Sequence, residues 1–324
     1  MLKRCYALAA AVAVTLIAPL SANAQTYPSK PITIIVPASP GGVTDMLGRI
    51  LAQHLISDWG AQVIVENRPG ANNQVAAEYV KQQPGDGYTL FIGPETTFIV
   101  NPSLYPDLRY SLKDFTPISG LVQIFHGLIL NPSVPAKNVG DLVALAKAKP
   151  GTLNYGTYGV GSSGHLNMEL FALMTGTQLV AVHYKGATPA LQDVIAGHIQ
   201  MMFVSIGSAM PQVKAGAVKM IADGAPRRMR LLPDMPTIAE NGYPAFTAVS
   251  WFALFGPAGM PADVTAKIGA EVQKMFADPD VKKNFLDAQY FESIAGSPEE
   301  LTNRINTEEP IWHKLIETAH IKVE

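Results

Sequence analysis

Two short stretches of small residues carry most of the chemistry this chain can do. The first is Ala38-Ser39-Pro40-Gly41-Gly42-Val43-Thr44-Asp45, at the end of an apolar run, Ile32–Val36. The second is Thr157-Tyr158-Gly159-Val160-Gly161-Ser162-Ser163-Gly164-His165, after Leu153–Tyr155. Each leads straight into residues spaced for a helix, Met46–Ser57 in one case and Leu166–Thr175 in the other. A helix start presents unpaired N–H groups and partial positive charge, and glycine lets a ligand approach that backbone. Each stretch is therefore a candidate anion site. Two of them, about 120 residues apart, suggest two walls around one small anion.

Other readings of the same residues are narrower. Thr44 or Asp45 could simply cap the helix, and Asp45 suits orienting the loop or a water better than touching a carboxylate. Gly159–Gly164 satisfies G-x-G-x-x-G, but the next strand ends His183-Tyr184-Lys185, without the acid a dinucleotide ribose needs. His165 and Glu169 are four apart on a helix with no third ligand following, so no metal is expected. No cofactor and no catalytic residue are expected either: thiol, G-x-S-x-G and a supported Ser/His/Asp set are all missing from the mature sequence. Tyr184 and Lys185 end a strand where either could meet an acid. Glu95 falls at an expected helix start, where it suits the dipole; in a cleft it would repel a second carboxylate and welcome an amine, amide or hydroxyl. Phe98, Phe125 and His126 lie at expected cleft edges, with core packing the plainer reading.

The elements needed to position these residues alternate strand and helix. Expected strands are Ile32–Val36, Val63–Glu66, Tyr88–Ile92, Leu121–Leu130, Leu153–Tyr155, Gln178–Tyr184, Gln200–Val204, Val218–Ala222 and Phe246–Phe255. Helices are expected between most of them, and three more near Ala262–Ala277, Pro279–Ala288 and Pro298–Ala319. This predicts an α/β chain of two lobes, each a mainly parallel sheet flanked by helices. The chain crosses between lobes near Gln123–Leu128 and Val249–Leu254. The expected division is residues 25–125 for the first lobe, 126–248 for the second, and 249–324 returning to the first.

Residues 1–24 read as a secretory signal: Lys3 and Arg4, then apolar Ala7–Leu20, then Ala22-Asn23-Ala24, with cleavage after Ala24 and a periplasmic destination. The lone cysteine, Cys5, lies at the start of that segment and is badly placed for a lipid anchor. No other stretch approaches about 18 uninterrupted apolar residues, so a soluble mature chain is expected. Of 324 residues, 24 are basic and 26 acidic; without Lys3 and Arg4 the balance is 22 to 26. With no basic run, nucleic acid is excluded as a partner.

The chain resembles the extracytoplasmic receptors of tripartite tricarboxylate transporters, the Bug-type receptors. The resemblance rests on PITIIVPASPGGVTD (Pro31–Asp45), VIVENRPG (Val63–Gly70), PGDGYTLFIG (Pro84–Gly93), NPSLY (Asn101–Tyr105), LNYGTYGVGSSGHL (Leu153–Leu166), VHYKGATP (Val182–Pro189), LPDMPTIA (Leu232–Ala239) and SWFALFGPAG (Ser250–Gly259), in family order. It implies a two-lobed, hinge-closing receptor of the type II-like periplasmic binding protein fold; a monomer that is not an enzyme is expected. The receptor would hold a small organic acid between Ala38–Asp45 and Thr157–His165, partly through water, and deliver it to a large and a small membrane subunit. Three positions depart from the family pattern. Ala38 stands where an aromatic or bulkier residue is usual, Glu95 where a small or neutral one is, and Val204-Ser205 where Asp-Asn is common. Ala38 widens the expected cleft and, with nearby aromatics, favours an aromatic acid. The expected ligand contacts are Ala38, Ser39, Gly41, Gly42, Val43, Thr44, Asp45, Glu95, Thr157, Gly161, Ser162, Ser163, His165, Tyr184 and Ser205. A ligand-sensing subunit or an exported hydrolase are the alternative functions.

Overall fold

The computed structural model describes residues 27–322, so the expected signal segment lies outside the described residues. Strands β1 (Ile32–Val36), β2 (Val63–Asn67) and β3 (Thr89–Pro94) pair in parallel around β1. Helix α1 (Val43–Trp59) follows β1, and the shorter α2 (Gln74–Val80) follows β2. After β3 the chain coils through a helical segment, Thr96–Leu104, before β4 (Phe115–Leu130). Helix α3 (Val139–Ala148) leads to β5 (Asn154–Thr157), α4 (Ser163–Thr175) to β6 (Val180–His183), α5 (Ala187–Ala196) to β7 (Met201–Ser205), and α6 (Ile206–Lys214) to β8 (Lys219–Asp223). The chain then returns as β9 (Val249–Pro257), α7 (Ala262–Ala277), β10 (Phe291–Ser293) and α8 (Pro298–Thr318).

β4 joins two sheets. Its first part pairs antiparallel with β9 and β10, which brings it beside β3, β1 and β2. From His126 onward it pairs antiparallel with β7 and β8, and β5 runs parallel to both β6 and β7. The outer strands of each sheet are thus parallel, as the βα alternation requires, while the long strands run antiparallel and make the whole mixed. The crossing is laced at one level: His126 N–H bonds to Ala248 O (3.0 Å), Gly224 N–H to His126 O (2.8 Å) and Ala248 N–H to Gly224 O (2.8 Å).

Both faces of each sheet are covered. Ile32, Ile34 and Val36 face α1 and α7, and Ile35 faces α2, the 96–104 segment and α8, which is why β1 reads as an unbroken apolar run. In the second sheet, Tyr155, Met201 and Phe203 face α3 and α4, while Met202 and Val204 face α5 and α6. Leu166 of α4 is buried in the cluster of the first sheet, so the halves share packed surface.

Several expected bounds move. β4 begins six residues earlier than read, because Phe115-Thr-Pro-Ile-Ser-Gly carries the turn residues of an irregular strand, and the register slips twice there. Residues 71–73 leave the expected helix for a left-handed turn. β10 is too short to show a period. No helix among the described residues is long and apolar enough to cross a membrane.

Candidate functional site

The carboxyl ends of β1 and β3 lie side by side, since Ile35 is level with Phe91. That edge carries Ala38–Asp45 and Glu95. The carboxyl ends of β6, β5 and β7 form the matching edge of the second sheet and carry Tyr184, Thr157–His165 and Ser205. In open α/β sheets this is the edge where ligands bind.

Asp45 organises the first junction. Its carboxylate accepts from Gly41 N–H (2.9 Å), Arg49 Nε (2.9 Å), Arg49 Nη2 (3.0 Å) and Asn67 Nδ2 (2.9 Å). Asn67 Nδ2 also donates to Ala38 O (2.9 Å). Gly41 has φ +90, which glycine alone adopts without strain, and this aims its N–H at Asp45. Burial pushes the Asp45 carboxyl up, but hydrogen bonds from Arg49, Gly41 and Asn67 outweigh it and its pKa falls to about 2. Four donors fill the carboxylate's acceptor capacity, so Asp45 shapes the loop. Neither Thr44 nor Asp45 is the N-cap; Gly42 is, without a side-chain bond. The first turn of α1 therefore keeps its N–H groups unmet by a capping side chain, with Gly41, Gly42 and Ser39 exposed, Ala38 and Val43 half-buried and Thr44 buried.

The second junction is bonded within itself. Ser162 caps α4: its Oγ accepts from His165 N–H (3.4 Å) and donates to Gly159 O (2.7 Å). Thr157 Oγ1 lies 2.7 Å from His183 Nδ1 and accepts from Gly159 N–H (3.2 Å). Gly161 N–H donates to His165 Nδ1 (3.2 Å), which leaves the proton of a neutral ring on Nε2. Burial and the neighbouring His183 lower the His165 pKa to about 4. Its Nε2 is 3.8 Å from Glu169, and among the described residues no three potential ligands gather for a metal. Tyr184 OH donates to Asp193 (2.6 Å), and Ser205 caps α6 and meets Ser208 Oγ (3.0 Å). The Thr157, Ser162, Tyr184 and Ser205 hydroxyls thus already have partners within their own sheet's elements. Ser163 is looser, with its Oγ 3.4 Å from Tyr158 OH.

The two edges meet at a seam. Gly161 has φ +73 and packs so tightly that a Cβ there would lie 2.3 Å from Leu104 Cδ1 and 3.7 Å from Asn72 Nδ2. Asn72 belongs to the left-handed turn Ala71–Asn73, held by Asn101 and Thr96. The Tyr158 ring lies against Gly164, where a Cβ would come within 2.4 Å of it; burial, and to a lesser degree the charge of Glu95, raises its pKa. Glu95 is buried and accepts from Trp251 N–H (3.2 Å). Burial lifts its pKa to about 7. The Ser250 hydroxyl is buried without a partner of good geometry, yet close enough to favour the charged form of Glu95.

Tyr158 and Ser250, both within reach of the Glu95 charge, are candidates that the sequence reading missed, and Asn167 of α4 is a further unpartnered polar residue. Asn167 is buried with neither amide atom bonded, one turn beyond Ser163; a polar residue on that otherwise apolar helix face was the available signal. The aromatic expectation weakens: Phe98 packs on Phe91, Phe115 and Phe255, and Phe125 and His126 are buried in the core. Two cavities lie elsewhere. One, of about 370 Å³, lies between α4 and α8 and is lined by Leu170, Leu173, Ile311 and Trp312; the other, of about 270 Å³, lies near Phe125 and Arg227. Neither is lined by the expected contacts.

The family model described as "Tripartite tricarboxylate transporter family receptor" matches residues 47–321. Protein BugT of Bordetella pertussis is 31% identical over 309 residues, covering 95% of this chain and 94% of that protein. Among solved structures, R. palustris Rpa4515 with adipate is 32% identical with a TM-score of 0.85, covering 91% of this chain and 99% of the other. MatC from Rhodopseudomonas palustris with bound malate is 28% identical with a TM-score of 0.79, covering 90% and 100%.

Proposed function

The chain belongs to the tripartite tricarboxylate transporter receptor family, and from that premise we propose that it captures a small organic carboxylate in the seam between its two sheets. The observation that carries the reading is the contact of the second junction with the segment that follows β3, Gly161 on Leu104, together with the uncapped start of α1 on the carboxyl edge of the same sheet. The N–H groups from Gly42 to Thr44 take one carboxylate, with Ala38 and Ser39 flanking it and Asp45 holding the loop. Residues 157–165 close over it through the N–H groups of Ser163 and Gly164 and the Ser163 hydroxyl, because the Thr157 and Ser162 hydroxyls and the N–H groups of Gly159, Gly161, Ser162 and His165 are already engaged; Tyr184 and Ser205 frame the rim. The lobes are residues 25–125 with 249–324, and residues 126–248. Closure excludes water, which strengthens each polar contact, and the liganded form is favoured because it alone satisfies the anion from both sides.

The receptor acts in the periplasm as a monomer, performs no catalysis, and passes its ligand to large and small membrane subunits. Adipate and malate bound to relatives are aliphatic dicarboxylates. Ala38 supports an aromatic acid as well, by leaving room beside the first junction. A thermal-shift screen of aliphatic and aromatic acids tests the proposal. An acid at 100 times its dissociation constant adds about 2.7 kcal/mol of stability. A panel in which amines and sugars shift the protein and carboxylates do not would overturn it.

A further inference from the structure

We propose that Glu95 reads the far end of the bound acid and selects a ligand that carries a hydrogen-bond donor there, hydroxyl, amide or ammonium, over one that carries a second carboxylate. The inference rests on carboxylate capture at the first junction and assigns what lies beyond it. Glu95 directly follows β3, on the same edge as Ala38–Asp45, and its charge reaches Tyr158 of the second sheet. The residue is 5% exposed, and its well-placed donor is Trp251 N–H (3.2 Å), with the Ser250 hydroxyl nearby. Asp45, one strand away, meets four donors. The Glu95 carboxylate can accept as many; with Trp251 N–H bonded, and the Ser250 hydroxyl and its own N–H also favouring the charged form, it keeps room for a further donor.

The surroundings offer no compensating charge. Ser250 stands beside it, its buried hydroxyl lacking a well-placed partner. Tyr158 of the second junction stays protonated, burial first and the Glu95 charge second having pushed its pKa up. Glu308 of α8 faces it as a like charge, itself held by Trp251 Nε1 (2.7 Å) and Arg304 Nε (2.8 Å). Among the described residues no cation pairs with Glu95. A donor brought by the ligand supplies what this carboxylate lacks. A ligand carboxylate instead adds like charge in a dry seam, where charges are weakly screened, and is accommodated only if a proton enters with it.

Titration calorimetry of the purified protein at pH 8, with matched frames, tests this. The probes are succinate and 4-hydroxybutanoate, adipate with 6-hydroxyhexanoate, adipamate and 6-aminohexanoate, and terephthalate with 4-hydroxybenzoate. The best donor-ended acid is expected to bind at least tenfold more tightly than the diacid of its frame. Near pH 7, in two buffers of different ionisation enthalpy, it should release protons where the diacid takes them up. The three six-carbon donor arms show which donor fits. Glu95→Gln should remove the proton linkage and bring each pair within threefold. If diacids bind the wild type as tightly as their donor-ended partners, with no proton uptake, the Glu95 assignment is overturned while carboxylate capture stands; that comparison needs no variant. If no probe binds, carboxylate capture itself fails and takes this assignment with it.

Discussion

Replacing Gly161 by alanine separates closure from folding. The backbone there has φ +73, so alanine costs about 1 kcal/mol whether the lobes are apart or together. The added methyl matters only when they are together, because its neighbour at 2.3 Å is Leu104 Cδ1 of the other half. That atom is the end of a flexible side chain, so it yields by leaving its rotamer, at about 0.5–1.5 kcal/mol, and overpacking adds to this within a range of about 1–3 kcal/mol. About 1–2 kcal/mol charged to the closed form alone becomes roughly 5- to 30-fold weaker ligand binding, at 1.4 kcal/mol per tenfold. The assay is calorimetric titration with an acid identified by thermal shift, alongside urea unfolding of the empty protein. Leu104→Val, which removes both Cδ atoms, should restore most of the affinity in the double variant without restoring the stability lost to the strained alanine. Wild-type affinity in Gly161→Ala, or no rescue by Leu104→Val, would refute the view that this contact forms when ligand is held.

Two further outcomes follow from the carboxylates. Asp45→Asn should lower stability by about 1–2 kcal/mol at neutral pH: a fall in pKa from 3.8 to about 2 corresponds to roughly 2.5 kcal/mol, reduced because Arg49 is half in water. Since the folded pKa is depressed, that contribution is present above pH 3.8 and lost as pH falls toward 2, so urea midpoints of the two proteins should converge there. Glu95 has the opposite sign: its folded pKa of about 7 lies above the ordinary 4.5, so stability is full below pH 4.5 and lost as pH rises through 7. Glu95→Gln should remove up to roughly 3 kcal/mol of that loss, and parallel pH profiles for the two proteins would contradict it.

Much of the fold was legible because the βα alternation and apolar runs leave few arrangements. Ile32–Val36 has to be buried on both faces, and Phe246–Phe255 has to carry the chain back, though the strand itself begins at Val249. The two junctions were legible from glycine alone. What small residues could not reveal is which of their polar groups remain available. Ser162 and Thr157 look like donors to a ligand until their distances to Gly159 and His183 show them occupied. The seam was less visible still, because Tyr158, Asn167 and Ser250 come from different elements, and their closeness to Glu95 or to the helix start depends on tertiary packing. The left-handed turn at Ala71–Asn73 carries no glycine to announce it.

The sixteen residues of β4 have a consequence for how this molecule can be divided. Severed between Phe125 and His126, each fragment would keep only part of a strand that completes its sheet, and would bare a row of unpaired amides and carbonyls of the kind that invites aggregation. Neither half is therefore a transplantable module. Recombination that exchanges one recognition face for another has to move whole loops at the strand tips, leaving the shared beam intact.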